Sequence, residues 1–413
     1  MVRTMTSGVR LWLARTAIVL GVVLGAALPS TTARAQFAMG MGAMMGDDPK
    51  APITRRSVQR YAETLKLDPD QRDAALTLHE GYLANFKANA KQMQKAYQVL
   101  SEKAQENNDW ASYGKQASKL AKEYMEKFES NQKGFIEDIR TLLTDEQASR
   151  WADFERLRRR EDLLRFAIVS GQGVDLVEAT RTLGLTGKDS PAGLAEAVAS
   201  YEMDMDRTLT DAERLGKEMM SKMYDAEAMQ ANPQEMEKLM KQVMDRARAM
   251  RDINRKHARL MTPLLNPEQA SKFDAEFKRR SFPRVYRKPH VVKTLDAASG
   301  MADLDAGQKD TLKSVREAYE RDAAGLNERW AAAIEEIEAK SENMWESFWG
   351  GDRDPKSPLA QARKARRDLD KSTMDRVAGV LKEEQRKRLP EETPEPQNPW
   401  AQMMGGDEED GGN

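Results

Sequence analysis

The sequence predicts an all-α protein: three tandem long antiparallel helical hairpins, each with short flanking helices. Three observations carry that expectation. The middle of the chain is written in Ala, Glu, Lys, Arg, Leu, Gln and Met, the vocabulary of long helices. A ten-residue phrase recurs, as LLTDEQASRW from Leu142, LLNPEQASKF from Leu264 and, more faintly, VLKEEQRKRL from Val380. Between the copies, apolar residues fall at steps of three and four, the rhythm of one buried helix face.

The phrase is a helix start. In the copy Leu143-Thr-Asp-Glu-Gln147, Thr144 caps free backbone N–H groups and Gln147, three residues on, bonds back to the cap's own N–H, a capping box. Asp145 and Glu146 then lie in the first turn, where the helix dipole favours negative charge. Leu265-Asn-Pro-Glu-Gln269 repeats the device with Asn266 as cap, Pro267 in the first turn and Gln269 returning the bond. An opening marker of the same chemistry stands at Leu67-Asp-Pro-Asp-Gln71, with Asp68 as cap and Gln71 as its partner. Leu304-Asp-Ala-Gly-Gln308 is another, and Leu185-Thr-Gly-Lys-Asp189 a degenerate one. Opening and closing markers each recur about 120 residues apart, a repeat period. In the last closing copy Lys382 cannot cap, so that helix start is expected to be weaker or simply continuous.

Each unit then reads as two helices. Ala75, His79, Tyr82, Phe86, Ala90, Met93, Tyr97 and Leu100 form the outgoing stripe; Leu120, Tyr124, Phe128, Phe135, Ile139 and Leu142 return, with Asn131 as a hydrogen-bonded polar core position. Turns are expected at NNDWASYG, ANPQE and GGDRDPKSP, all rich in helix breakers. Arms of roughly 30 to 35 residues would be about 45–50 Å long at 1.5 Å per residue.

The ends are different. Arg3, Arg10 and Arg15 precede the uncharged run TAIVLGVVLGAAL, followed by Ala33-Arg-Ala35, the pattern of a cleaved signal peptide over 1–35. Removing it takes away Arg3, Arg10, Arg15, Arg34 and no acid, moving the formal charge from −1 to −5. No later segment is apolar enough to span a membrane, so a periplasmic protein without a membrane span is expected. A Met/Gly-rich disordered segment is expected over 36–54 and a disordered acidic tail over 393–413. The three helical units are placed at 55–170, 171–289 and 290–392, joined at Ser170-Gly-Gln-Gly173 and around Pro283 and Pro289.

A helical hairpin bracketed by two L-T-x-x-Q motifs behind a signal peptide resembles the Spy/CpxP family of periplasmic proteins. The matching segments are Leu67–Gln71 with Leu143–Gln147, Leu185–Thr186 with Leu265–Gln269, and Leu304–Gln308 with Leu381–Gln385, so most of 55–390 is covered, in three copies instead of the usual one. The missing Gln in the second opening and the missing cap in the last closing depart from the pattern. The resemblance implies a concave basic surface with scattered apolar residues that holds unfolded or misfolded envelope proteins without ATP. The alternative it implies is an envelope-stress regulator binding one fixed partner.

Candidate client-binding residues follow from that. Basic segments trail each closing motif: Arg156, Arg158, Arg159 and Arg160; Lys278, Arg279 and Arg280; Arg386, Lys387 and Arg388. The plainer reading of such clusters is a solvated helix face. Eleven of 24 methionines lie between Met203 and Met261, including Met219, Met220 and Met223. They serve either as core or as an adaptable binding surface. Trp345, Phe348 and Trp349 near the third turn either staple the hairpin tip or touch clients.

Chemistry is sparse. The chain has no cysteine and three histidines, none with a metal-ligand neighbour at helical spacing, and His79 sits on the core stripe. Acidic and basic residues balance at 67 and 66, which gives no polyanion-binding signal and no expectation of nucleic acid. No cofactor and no enzymatic activity are expected. Met39, Met41, Met44, Met45, Met403 and Met404 are weak candidates for Cu(I), a soft ion that accepts thioethers.

Overall fold

A computed structural model describes residues 50–391, apart from Phe166, Asp189, 225–232 and 341–353. The expected signal peptide, both methionine clusters, Asn232, Trp345, Phe348, Trp349 and the tail lie outside the described residues. The protein is all-α: among the described residues there is no strand, and no helix is long and apolar enough to cross a membrane. The chain forms two compact units. One runs through Asp162 and takes in Glu213–Leu239; the other holds Leu163–Ala212 and everything from Met240. Compactness and the sequence period therefore divide the chain differently.

In the first unit, α1 (Arg55–Leu65) leads to α2 (Pro69–Asn107) and α3 (Trp110–Thr141). Asp68 and Gln71 form the expected capping box, with Gln71 N–H on Asp68 Oδ1 at 2.8 Å and Asp68 N–H on Gln71 Oε1 at 2.9 Å. At 39 residues α2 is longer than expected, about 58 Å at 1.5 Å per residue. The reason is a tighter turn. Asn108 takes a left-handed conformation at φ 51°, Asp109 caps the next helix, and Trp110 to Gly114 are already helical. Asparagine tolerates that backbone because its short polar side chain costs little there.

The two helices run antiparallel: Asn131 Nδ2 donates to Tyr82 O at 3.1 Å and Tyr97 Oη to Ala117 O at 3.1 Å. The predicted stripe is the core, with Ala75, His79, Tyr82, Phe86, Ala90, Met93 and Tyr97 all buried. Near the turn it continues into Tyr113, Ala117, Ala121 and Tyr124. At the base, Tyr61 of α1 packs edge-on against Phe154 of α5 (Trp151–Leu163) at 4.9 Å. Ile53, placed by the sequence in the segment expected to be disordered over 36–54, is instead buried, and its carbonyl meets His79 Nε2 at 2.9 Å.

In the second unit, α6 (Leu176–Thr182) precedes α7 (Leu194–Tyr224) and α8 (Pro233–Met261), both of which continue into the first unit. The degenerate marker does not start a helix. Gly187 has φ 100° and α7 begins only at Leu194. Leu194, Tyr201, Met205 and Leu209 of α7 share one core with Met250 and Met261 of α8 and Phe273 of α9 (Pro267–Ser281). After α10 (Pro283–Tyr286) and α11 (His290–Ser299), α12 (Ala306–Lys340) pairs with α13 (Pro358–Val380). Gln308 near one end of α12 reaches Val380 O, and Tyr319 Oη reaches Asp370, so this pair is antiparallel too. Val291, Leu295 and Ala298 of α11 close its base, the place α1 takes in the first unit.

The expected linker 170–173 is a packed loop. Gly171 and Gln172 are buried, and Asn254 Nδ2 donates to both their carbonyls at 2.7 and 3.1 Å. Gly171 stands at φ 75°, which a side chain would strain.

Candidate functional site

The opening and closing glutamines meet. α4 (Asp145–Ala148) starts at Thr144, whose N–H donates to Gln147 Oε1 at 3.0 Å, completing the box with Gln147 N–H on Thr144 Oγ1 at 3.3 Å. Gln71 and Gln147, 76 residues apart, then exchange amide bonds: Gln71 Nε2 to Gln147 Oε1 at 2.9 Å, and Gln147 Nε2 to Gln71 Oε1 at 2.7 Å. Their remaining amide hydrogens reach Leu142 O at 2.6 Å and Lys66 O at 2.9 Å. Each glutamine thus holds its own helix start and the opposite strut of the hairpin. The sequence pattern revealed the caps but not this clasp.

The clasp recurs at Gln308 and Gln385. Gln308 Nε2 donates to Gln385 Oε1 at 2.9 Å and to Val380 O at 2.8 Å, and Gln385 Nε2 reaches Asp303 O at 3.2 Å. Lys382 takes the cap position with no acceptor of its own, yet its N–H bonds Gln385 Oε1 at 2.9 Å. The helix here is not continuous: Leu381 is extended and α14 (Glu383–Arg386) begins afresh. In the middle copy Asn266 and Gln269 form only their own box, at 2.9 and 3.1 Å.

The basic segments are neutralised locally. Arg158 pairs with Glu155 at 3.0 Å and Asp162 at 3.3 Å, and Arg159 lies 3.8 Å from Glu155. Arg156 pairs with Asp153, and Arg160 is buried, which takes it off the surface where a client would meet it. Lys278 pairs with Asp274 at 2.9 Å, while Arg279 and Arg280 share Glu276 at 2.8 and 2.5 Å. Burial opposes the charge on Glu276, but those two guanidiniums still hold its carboxyl below the usual range. Lys387 pairs with Glu384, Arg388 with Asp303, and Arg386 Nε caps Leu381 O.

A different surface keeps its cations open. Between α2 and α3, towards their turn, lies an open groove of about 500 Å³. Ala96, Leu100, Leu120 and Tyr124 form its floor, Val99 stands 41% exposed beside it, and Lys95 and Lys103 flank it. Among the described residues neither lysine has a carboxylate partner. Apolar side chains in a partner would find a surface here, and a carboxylate would find two ammonium groups.

No family model, curated protein or solved structure matches this chain. The site is therefore read from its own residues.

Sequence reasoning passed over this groove because it followed the core stripe. The signal was available: Gln92, Ala96, Val99 and Lys103 recur at helical spacing one face over from Met93 and Tyr97. Among the described side chains of the methionine stripe, Met205, Met244, Met250 and Met261 are buried in the core and Met240 is half-buried. Met219 is half-buried, Met203 is exposed, and the side chains of Met220 and Met223 lie outside the described residues. Trp110 packs against Tyr113 at 5.7 Å and staples the first turn.

The histidines are structural partners. His257 is buried with Nε2 on Asp204 Oδ2 at 2.9 Å. Lys256 shares that oxygen at 2.9 Å, and bonds from Lys256 and His257 pull the Asp204 carboxyl down to about 2. Folding brings this acid to His257 from α7, beyond reach of a spacing argument. Among the described residues no group of three or more His, Asp or Glu could hold a metal.

Proposed function

We propose that this chain is an exported, non-enzymatic protein of the Spy/CpxP type. In this reading three tandem copies of the hairpin bind unfolded or stress-damaged envelope proteins in the periplasm without ATP. The L-T-x-x-Q brackets support the family reading in a physical way, since glutamines of opening and closing markers hold each other across a hairpin base. The observation that carries the binding reading is the α2–α3 groove, an apolar floor between two lysines that have no ion pair among the described residues. Such a surface suits a partner with exposed apolar side chains and carboxylates, which is what an unfolded acidic chain presents. The basic segments after the closing markers fit the role less well, because their charges are already spent on neighbouring carboxylates.

The test is aggregation of several unrelated unfolded proteins in the presence of the purified chain and no nucleotide. Suppression that weakens on Val99→Glu or Lys95→Glu supports the holdase reading. No suppression, with a single envelope protein recovered repeatedly by pull-down, assigns the chain to a regulator or scaffold. Sequencing the N-terminus of the exported protein checks cleavage after Ala35. Copper titration against a variant with Met39, Met41, Met44, Met45, Met403 and Met404 changed to leucine checks the weaker Cu(I) reading.

A further inference from the structure

The groove has a candidate occupant in the same chain. The segment 36–49, QFAMGMGAMMGDDP, carries Phe37 and four methionines, ends on Asp47 and Asp48, and holds no basic residue. Its point of departure is fixed. Ile53 is buried on α2, with its N–H towards Tyr82 Oη at 3.5 Å and its carbonyl on His79 Nε2 at 2.9 Å. From Thr54, α1 runs down α2 to the base, where Leu67 meets the start of α2. Ile53, held beside Tyr82, is therefore an anchored point on the helix that carries the groove, from which the reach of the segment can be measured.

The lengths match. From Tyr82 to Lys95 along α2 is about 20 Å at 1.5 Å per residue. Extended chain covers the same distance, about 20 Å, between Ile53 and Asp47. Met45 and Met44 then reach about 26–30 Å, and Val99 to Lys103 lies about 26–32 Å beyond Tyr82. Charge is complementary at that register, since Asp47 and Asp48 are the acidic residues of the segment within reach of Lys95. Thioether side chains adapt to irregular apolar floors such as Ala96, Leu100 and Leu120. We infer that residues 36–49 fold back along the first hairpin and dock in the α2–α3 groove, methionines on the floor and the two aspartates at Lys95. A tether this short gives an effective concentration in the millimolar range, so a weak contact suffices. A free partner must displace the segment, which makes it a built-in competitor for the groove. The docking itself does not rest on the holdase reading.

The chain has no cysteine, so a single one carries a unique label. Ala43→Cys bearing a bimane fluorophore is prepared in the chain 36–413, with Val99→Trp as a contact quencher. Val99 is exposed, so the tryptophan does not disturb the core. The expected result is a fall in fluorescence by roughly half or more, as for a tethered ligand that is mostly bound. That fall should be unchanged on tenfold dilution and reversed by Lys95→Glu with Lys103→Glu. Equal fluorescence with and without the Val99→Trp substitution overturns the inference. Quenching that disappears on dilution overturns it as well, assigning the groove to a second copy. Equal quenching by a tryptophan placed instead at the exposed position of Lys133 would mean unspecific collapse and overturn it too. Displacement by an equimolar free peptide of residues 392–413 would assign the groove to the acidic tail instead.

Discussion

At the base of the first hairpin, Gln71 and Gln147 grip each other and the backbone of the opposite strut; at the base of the second, Gln269 closes only its own cap. The closing phrases are nearly identical, LLTDEQASRW against LLNPEQASKF. What differs lies far away in sequence, where the first opening marker supplies Gln71 and the second has Asp189 in its place. The second base is anchored by other means. Asn254 ties down the 171–172 carbonyls, Gly171 N–H donates to Ser281 O at 3.1 Å, and Glu338 accepts from Ser170 N and Oγ at 2.7 and 2.6 Å. A local motif therefore fixes a local helix start, while its tertiary use depends on a partner it does not contain.

The sharpest way to break this contrast is to remove the anchor of the second base. Asn254 is fully buried, and Asn254→Ala leaves two carbonyls without their donor. The expected cost is about 3 kcal/mol, at the upper end for buried unpaired groups. Hydrogen exchange should show faster opening of 169–174 while amides in α2 and α3 keep their protection.

Removing the clasp is the matching experiment at the first base. Gln147→Ala loses the cap bond, the bond to Lys66 O and both bonds with Gln71. About 2 kcal/mol should be lost there, against about 1 for Gln269→Ala, which removes a cap alone. A cycle with Gln71→Ala should return a coupling near 1 kcal/mol, since the two side chains are in direct contact. A coupling of zero would mean that the clasp adds nothing beyond two independent caps.

Two carboxylates of the second unit, Asp204 and Glu338, answer acid differently. Asp204 has its folded pKa near 2, below the ordinary 3.8, through bonds from Lys256 and His257. Its contribution is present above pH 4 and is lost as pH falls towards 2, and about 1 kcal/mol is expected after solvent screening. Glu338 has the opposite sign, because burial raises its carboxyl above the usual value despite the bonds from Ser170. Its contribution is complete below the ordinary value and declines as pH rises through the folded one. Unfolding followed from pH 6 to 2 should therefore show Asp204→Asn flattening the acid loss. Glu338→Gln should instead remove the weakening on the way from acid to neutral pH.

How much of this could be read beforehand divides along the same line. Caps at Asp68, Thr144 and Asn266, the stripe from Ala75 to Tyr97 and the half-buried Asn131 are set by residues within a few turns, and the structure has them where periodicity puts them. The Gln71–Gln147 clasp, the Asp204–His257 pair and the buried 170–173 loop each join residues distant in sequence, so no window could reveal them. The groove fell between the two cases. Its residues lie on one helix face, but a face that is half apolar and half lysine scores as solvent until the neighbouring helix supplies Leu120 and Tyr124.

The smallest test completes a capping box that lacks its side-chain bond, beside a clasp that is already made. Lys382 has the backbone of a cap residue, φ −69° and ψ 160°, close to the −74° and 165° of Thr144. Its side chain offers no acceptor and Gln385 N–H turns to Lys382 O at 3.0 Å instead, so the box at the third base is half made. Lys382→Thr needs no backbone change and supplies that acceptor. A gain of about 0.5–1 kcal/mol is expected, the ordinary worth of a cap. It should appear as slower exchange in α14 and should leave the Gln308–Gln385 bonds unaltered. A gain that survives Gln308→Ala would show that cap and clasp contribute separately. If it vanishes, the clasp is what positions Gln385 to be capped, and the two bases that carry it are cooperative in a way that the middle one is not.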